Sequence, residues 1–467
     1  MRVALINQPY FNKHFMENIG IVERHVRTLP PLSLMYVSSI VKKHGHECIL
    51  VDAVAGHLPK RAVAKKLRRF RPDIIGFSCM VPVREPLFSW ASYLRKKLLT
   101  PVVVGGHALR YYPEAIVSNE CVDFGIVGSA LEPLPALLTA LEGRGELERI
   151  KGLAFKKNGK VIVNYPDTME EDMDALPFPD REGLDHSPYT SVASSRSPYT
   201  VMVTSSGCRY QCDFCPMGRI PYRERKVAHV VEEIEECARI GIKEIDIFDE
   251  DFLMERERAR HICEALIRKG IRISWSCRTR VTHVDRDILQ IMHRAGCRMI
   301  LYGIESGNDA ILKREHKGIT REQIVRAIEL TRACGIEPLG FFIIGHEGET
   351  PETIRDTIRF SQELPLSHAQ FFHMVVKPGT AVYDRLKKQM GHDYFDALLR
   401  GMAKEKDLPL EWTGLSTRDI RRWVLRAYFS FYFRKCHVRT ILKLFVNQRW
   451  ALKLRRHPAI PRGNEGV

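Results

Sequence analysis

Three cysteines in one short segment carry the strongest chemical signal in the chain. Cys208, Cys212 and Cys215 lie in SSGCRYQCDFCPMG, spaced by three residues and then by two. Thiolates are the ligands that iron–sulfur clusters take, and one tight loop can bring three of them to a single face of a cubane. Three protein ligands leave the fourth iron open. A structural zinc site asks instead for a fourth Cys or His. The next cysteine, Cys237, lies within the helical pattern VVEEIEECARIG, where core packing explains a thiol more simply. No second cysteine pair stands at zinc-ribbon spacing.

The elements that must position this loop come from two runs of alternating strands and helices. From Arg2 to about Leu141 the candidate strands are RVALIN, CILVD, DIIGFS, PVVVGG and DFGIV, and LSLMYVSSIVKKHG reads as a helix ending at Gly45. This alternation predicts a doubly wound parallel sheet, an α/β domain over 1–145. Such sheets bind ligands at the carboxyl ends of their strands, where this chain places Asn7 to Pro9, Asp52, Ser78, Gly105, Gly106 and Gly128. Turn-making alone also explains the glycines. Residues 146–195 read as a hairpin around Asn158-Gly159 followed by a Pro- and Asp-rich linker. Over 196–378 six further strands are expected, namely TVMVTSS, EIDIF, RISWS, RMILYGI, PLGFFII and HAQFFHMVV. With the helices between them they predict a six-unit partial β/α barrel, whose active site gathers at the carboxyl ends of its strands. Residues 379–467 read as a helical, basic extension.

The CxxxCxxC loop after the first barrel strand, with Phe214 just before its last cysteine, resembles the radical S-adenosylmethionine (SAM) superfamily. FDEDF, SCRTR, YGIESG, FFIIGHEGET and KPGT then follow in order at the later strand ends. The resemblance implies a 4Fe–4S cluster whose open iron is chelated by the amino and carboxylate groups of SAM, and reductive cleavage to methionine and a 5′-deoxyadenosyl radical. It implies an electron donor such as flavodoxin or ferredoxin. Asp249 or Glu250 can then accept from the methionine ammonium, Arg280 can pair with the carboxylate, Glu305 and Ser306 can hold the ribose, and Gly345 admits the adenine. Helix capping by an Asp, or an Arg as a plain surface charge, are the simpler readings of the same residues.

A doubly wound domain before a radical domain resembles the cobalamin-binding domain of class B radical SAM enzymes, with INQP, the strand ending at Ser78, GGHALRYYPE and VDFGIVGSALEPL as its supporting segments. Cobalamin is the implied second cofactor. The DxHxxG motif that supplies a lower histidine ligand is missing, since the stretch matched to it is Asp52-Ala-Val-Ala-Gly56, with Val54 in place of histidine. Domain order and the linker DALPFPDR are similar to the broad branch that includes anaerobic magnesium-protoporphyrin ester cyclases. The implied outcomes are methylation, or oxidative cyclisation or rearrangement, of an unactivated carbon. A rival is transfer-RNA methylthiolation, which would recruit three more cysteines; Cys48, Cys79 and Cys121 sit instead in or beside core strands. An electron carrier or cobalamin sensor is a further alternative, but a carrier would more typically use four cysteines and no nucleotide-binding elements.

The formal charge of +16 is concentrated at the end: between Arg418 and Arg462 there are thirteen Lys or Arg and one acid, Asp419. Trp423, Tyr428, Phe429, Phe431, Tyr432, Phe433, Phe445 and Trp450 are interleaved with these cations. Packing of the aromatics on the barrel is the favoured expectation, contact with an anionic membrane surface the alternative. No groove-reading motif accompanies the charge, which argues against nucleic acid. Small-molecule, lipid, tetrapyrrole and peptide substrates stay open. MRVALINQPY has no long apolar run and no later stretch approaches eighteen uncharged apolar residues, so the expectation is a cytoplasmic enzyme, peripheral at most to a membrane.

Overall fold

The computed structural model describes residues 1–9, 28–80, 84–169, 172–191, 194–404 and 414–434. The first run folds as β1 (Arg2–Asn7), α1 (Leu32–Lys43), β2 (Glu47–Asp52), α2 (Lys60–Phe70), β3 (Ile74–Ser78), α3 (Arg84–Leu98), β4 (Val102–Gly105), α4 (Pro113–Val117), β5 (Phe124–Ile126) and α5 (Pro133–Leu141). β1 to β5 pair in parallel, and their apolar runs are buried between helices on both faces. The sheet order is β2-β1-β3-β4-β5, so the winding reverses between β1 and β3. That switch point is where such a sheet opens a crevice.

The hairpin belongs to this sheet, which moves the domain's end from residue 145 to Asn164. β6 (Leu153–Lys157) pairs antiparallel with β5, and β7 (Lys160–Asn164) pairs with β6. Asn158 and Gly159 take φ of 52° and 76°, the left-handed pair that a two-residue turn needs. Without the hairpin, β5 would be a bare edge; Leu153, Ala154 and Phe155 cover it and are buried.

The second run gives β8 (Tyr199–Met202), α6 (Val227–Arg239), β9 (Glu244–Ile247), α7 (Arg256–Arg268), β10 (Ser274–Thr279), α8 (Arg286–Arg294), β11 (Cys297–Glu305), α9 (Asp309–Arg314), α10 (Arg321–Ala333), β12 (Glu337–Ile344), α11 (Pro351–Glu363) and β13 (His368–His373). All six strands are parallel and lie in chain order, with β8 and β13 at opposite edges. This is a partial barrel, open where β13 would otherwise meet β8.

The linker between the sheets is a clamp built from buried charge. Arg181 and Arg225 lie 2.6 Å and 2.5 Å from the two oxygens of Glu233 on α6, and all three side chains are buried. On the other side Ser38 of α1 donates to Asp180 at 2.5 Å and Tyr189 donates to Asp52 at 2.9 Å. The C-terminal extension is likewise two structures rather than one. Val382, Tyr383 and Leu386 of α12 (Ala381–Met390), with Tyr394, Phe395 and Leu398 of α13 (Tyr394–Leu399), complete the core of the first domain. α14 (Thr417–Arg434) instead sends Ile420, Val424, Ala427 and Phe431 into the barrel core, with Trp423, Tyr428 and Tyr432 packed beside them. Phe429 and Phe433 stay exposed, while Phe445 and Trp450 lie outside the described residues.

Candidate active site

The three cysteines sit in a loop that closes on itself. Ser205–Ser206 pairs antiparallel with Arg223–Glu224 at its base, and the Cys208 amide lies 3.2 Å and 3.3 Å from the Met217 and Ile220 carbonyl oxygens. Glycine is obligatory at two closures. A Cβ on Gly207, where φ is +83°, would fall 2.4 Å from the Pro221 carbonyl oxygen, and one on Gly218 would fall 2.2 Å from that of Tyr210. Cys212 is buried and Cys208 and Cys215 are half-buried. Burial pushes the Cys208 and Cys215 thiols up, so iron must displace their protons. Among the described residues no three His, Cys, Asp or Glu side chains converge on one ion. A cubane does not need that, since each thiolate takes a different iron. An all-thiolate donor set in a closed loop fits such a cluster.

The strand-end residues around this loop divide into those free to meet a ligand and those already committed. Asp249 is committed: it is fully buried and accepts from the Thr204 amide at 2.6 Å, the Thr204 hydroxyl, and the Ser205 hydroxyl at 2.7 Å. It ties the end of β8 to the loop after β9. Glu250 keeps Oε2 buried without a hydrogen-bond partner among the described residues, and burial lifts its pKa to about 7. Of the two acids, Glu250 is therefore the one left to receive a cation. Ser306 is likewise committed, bonded to the Thr357 hydroxyl of α11 at 3.1 Å and accepting from the Asn308 amide.

Arg280 is buried with its guanidinium 3.6 Å above the Tyr210 ring and 3.9 Å from the Cys212 sulfur; it donates to the Lys317 carbonyl and keeps Nε without a partner among the described residues. Tyr210 is fixed by a 2.7 Å bond between its hydroxyl and His283 Nε2. Glu305, held at φ +67°, accepts from Lys317 at 2.8 Å, and the Lys317 ammonium also lies 5.8 Å from the Phe214 ring. Phe214 meets the edge of His346 at 5.7 Å. His346 is fully buried 3.4 Å from Glu315; burial opposes its charge, but Glu315 and Glu349 outweigh burial and raise its pKa. Gly345, at φ +103°, donates to Glu349 at 2.6 Å, and the space beside it is filled by Ile420 of α14. The left-handed backbone by itself favours glycine here. Lys317, His346, Glu315 and Tyr210 were not selected from sequence; only their nearness to the motifs in sequence could have flagged them.

In the first domain Ser78, Gly105, Gly106 and Gly128 line one cavity of about 230 Å³, walled by Tyr36 of α1 and by Leu134. Gly106, at φ +100°, passes so close to β3 that a Cβ would lie 2.8 Å from the Ser78 hydroxyl. Asn7 ends β1 beside this crevice and donates to Asp52 at 2.9 Å; Pro9 follows, half-buried. Asp52 itself closes the edge strand β2, where it also accepts from the Val54 and Ala55 amides. The Asp52 to Gly56 turn is thus one strand removed from the switch point, and its lack of histidine says nothing about that crevice. Cys79 and Cys121 pack in one core and Cys48 against another, so they form no second thiol cluster. Across the domain boundary, Tyr111 after β4 presses its hydroxyl on Gly379 of the KPGT turn, where a Cβ would fall 2.3 Å away. Loss of hydration, then the cations Arg110 and Lys377, hold the His107 pKa down.

A parallel half-barrel with a three-cysteine loop after its first strand defines the radical SAM class, and residues 202–361 match the Radical SAM superfamily model. Residues 20–138 match the B12 binding domain. Over 418 residues the chain is 30% identical to an uncharacterised methyltransferase of Pyrococcus horikoshii, covering 87% of this chain and 88% of that one. It is 28% identical over 352 residues to the anaerobic magnesium-protoporphyrin IX monomethyl ester cyclase of Rubrivivax gelatinosus, covering 72% of this chain and 62% of the cyclase. The radical SAM methyltransferase TsrM of Kitasatospora setae, solved with cobalamin and a 4Fe–4S cluster, shares the fold with a TM-score of 0.66 at 20% identity, over 83% of this chain and 75% of that one. The chain belongs to the cobalamin-binding radical SAM family of methyltransferases and cyclases. Its cofactors are a 4Fe–4S cluster, SAM and cobalamin.

Proposed function

We propose that this chain is a methyltransferase acting on an unactivated carbon of a small-molecule, lipid or tetrapyrrole substrate. The observation that carries the choice is the likeness to a methyltransferase along nearly the whole of both chains, at 87% and 88%. Oxidative cyclisation is the second reading, favoured by the cyclase likeness, which spans 62% of that enzyme.

When bound, the cluster, SAM and cobalamin supply an electron, a hydrogen-abstracting radical and a methyl group. Cys208, Cys212 and Cys215 hold the cluster; Glu250 receives the ammonium of SAM and Arg280 its carboxylate, each through a charge-assisted bond. Lys317, 2.8 Å from Glu305, holds that carboxylate in place for the ribose, while Phe214 borders the adenine. Gly105 and Gly106 let cobalamin approach the backbone of β4, with Ser78, Gly128, Asn7 and Pro9 around it. The contact of Tyr111 with Gly379 supports a shared reaction space, because it brings the β4 loop against the barrel's last strand-end turn. Flavodoxin or ferredoxin is the electron source, and an anionic membrane surface the partner of the basic C-terminal region.

Product analysis separates the two readings. A methyltransferase spends one SAM on the radical and a second to reload the methyl carrier, so reduced, cobalamin-loaded protein should form both 5′-deoxyadenosine and S-adenosylhomocysteine. A cyclase forms the first without the second. S-adenosylhomocysteine at the level of a cobalamin-free control would remove the methyltransferase reading.

A further inference from the structure

One strongly charged surface plays no part in the site described above. Along α14 the exposed residues Arg418, Arg422, Arg426, Phe429 and Phe433 follow each other at steps of four, four, three and four, which places them on one stripe of the helix. The opposite face is spent on the barrel core through Ile420, Val424, Ala427 and Phe431. Phe429 and Phe433 are 60% and 66% exposed and stack on one another at 5.7 Å, and no other phenylalanine among the described residues is exposed. Counter-charge is scarce: Arg422 lies 3.4 Å from Asp419, and Arg426 lies 5.0 Å over the Trp423 ring. The helix has a direction in the fold. Ile420 abuts Gly345 at the carboxyl end of β12, and the Tyr432 hydroxyl donates to the Ala369 carbonyl at 3.0 Å near the amino end of β13. The arginine end of the stripe therefore lies toward the barrel rim where the cofactor residues gather, and the phenylalanine end lies away from it.

Resting on the membrane reading above, we infer that this stripe docks the enzyme on an anionic bilayer, with α14 in the plane of the surface. The paired phenylalanines enter the boundary between headgroups and acyl chains, and the three arginines pair with lipid phosphates. Charge selects this occupant. Residues 435–467 carry eight Lys or Arg and one acid, Glu465, so folding them back would set cations against the arginines, and a second copy would do the same. No groove-reading motif accompanies the charge, which sets nucleic acid second.

The test is sedimentation of full-length, cluster-loaded protein with phosphatidylcholine vesicles, with and without phosphatidylglycerol. Binding should require phosphatidylglycerol. It should fall about tenfold or more in a Phe429→Ser/Phe433→Ser double variant and in an Arg418→Glu/Arg422→Glu/Arg426→Glu triple variant, and persist in Phe429→Leu/Phe433→Leu, since insertion needs apolar volume and not a ring. Iron content and melting temperature should match wild type in all three, because the stripe is exposed. No binding by wild type would overturn both the membrane reading and the stripe. Wild-type binding that the Ser and Glu variants retain would overturn the stripe alone. Loss in the Leu variant together with competition by single-stranded RNA would replace the bilayer with nucleic acid.

Discussion

Replacing Gly207 by alanine should cost the protein its cluster while leaving the barrel folded. Gly207 holds φ +83°, and an added Cβ would meet the Pro221 and Ile220 carbonyl oxygens at 2.4 Å and 2.5 Å. The left-handed backbone costs an L-residue about 1–2 kcal/mol. Relieving a contact that close with backbone, which cannot rotate aside, adds about 1–3 kcal/mol. Together this is about 2–5 kcal/mol, enough to lower the population of the closed loop by a factor of about 30 or more. Gly241→Ala isolates the first contribution, because Gly241 holds φ +87° with nothing within 4 Å of its added Cβ. The assay is iron and sulfide per chain after anaerobic reconstitution, with the thermal midpoint measured on the same samples. Gly207→Ala should lose most of its iron with little change in the midpoint, and Gly241→Ala should keep it. A full iron complement in Gly207→Ala would refute the claim that the two glycine closures build the thiolate site.

Glu250→Gln keeps the shape of the side chain but removes its charge, and should weaken SAM binding by about 10- to 100-fold, the worth of one hydrogen bond to a charged group, with iron unchanged. Because burial lifts Glu250 to about 7, and only its carboxylate form attracts an ammonium, SAM affinity in wild type should fall as pH drops through about 7 and that dependence should vanish in the variant; equilibrium dialysis measures both. Gly105→Val would push methyl groups toward the 230 Å³ cavity and should abolish cobalamin binding, read by visible absorbance, without affecting iron. Glu233→Gln strips the charge that faces two buried guanidinium groups and should lower stability by about 3–5 kcal/mol in denaturant unfolding.

Local chemistry was legible in the sequence, and long-range choices were not. All six barrel strands, the Asn158-Gly159 turn and the cysteine loop follow from periodicity and from residues with few conformational options. The hairpin's attachment to β5 could not be read, because nothing within Leu153 to Asn164 names its partner strand. The division of labour between Asp249 and Glu250 was hidden for a related reason. Which of two adjacent acids turns inward depends on where β9 ends, and the Thr204 and Ser205 hydroxyls that claim Asp249 come from another strand end 44 residues or more away. The expectation for Gly345 rests on its missing side chain, whereas the neighbour that borders that space, Ile420, comes from a helix some 75 residues later. The burial of Arg181, Arg225 and Glu233 carries no local signal, since such residues are seldom buried unless paired and their partners lie in separate segments. After Gly379, the packing of Trp423, Tyr428, Phe431 and Tyr432 on the barrel was legible, but the joining of Val382, Tyr383 and Phe395 to the first domain was not, as an amphipathic face does not specify which core it joins.

As proposed, Cys208, Cys212 and Cys215 hold a cluster that cleaves SAM to begin radical chemistry. The most direct measurement is 5′-deoxyadenosine released from SAM by anaerobically reconstituted, dithionite-reduced protein. Wild type should form it, and a Cys212→Ala variant prepared in the same way should not. Wild type that carries a full cluster yet releases no more 5′-deoxyadenosine than Cys212→Ala would contradict that role.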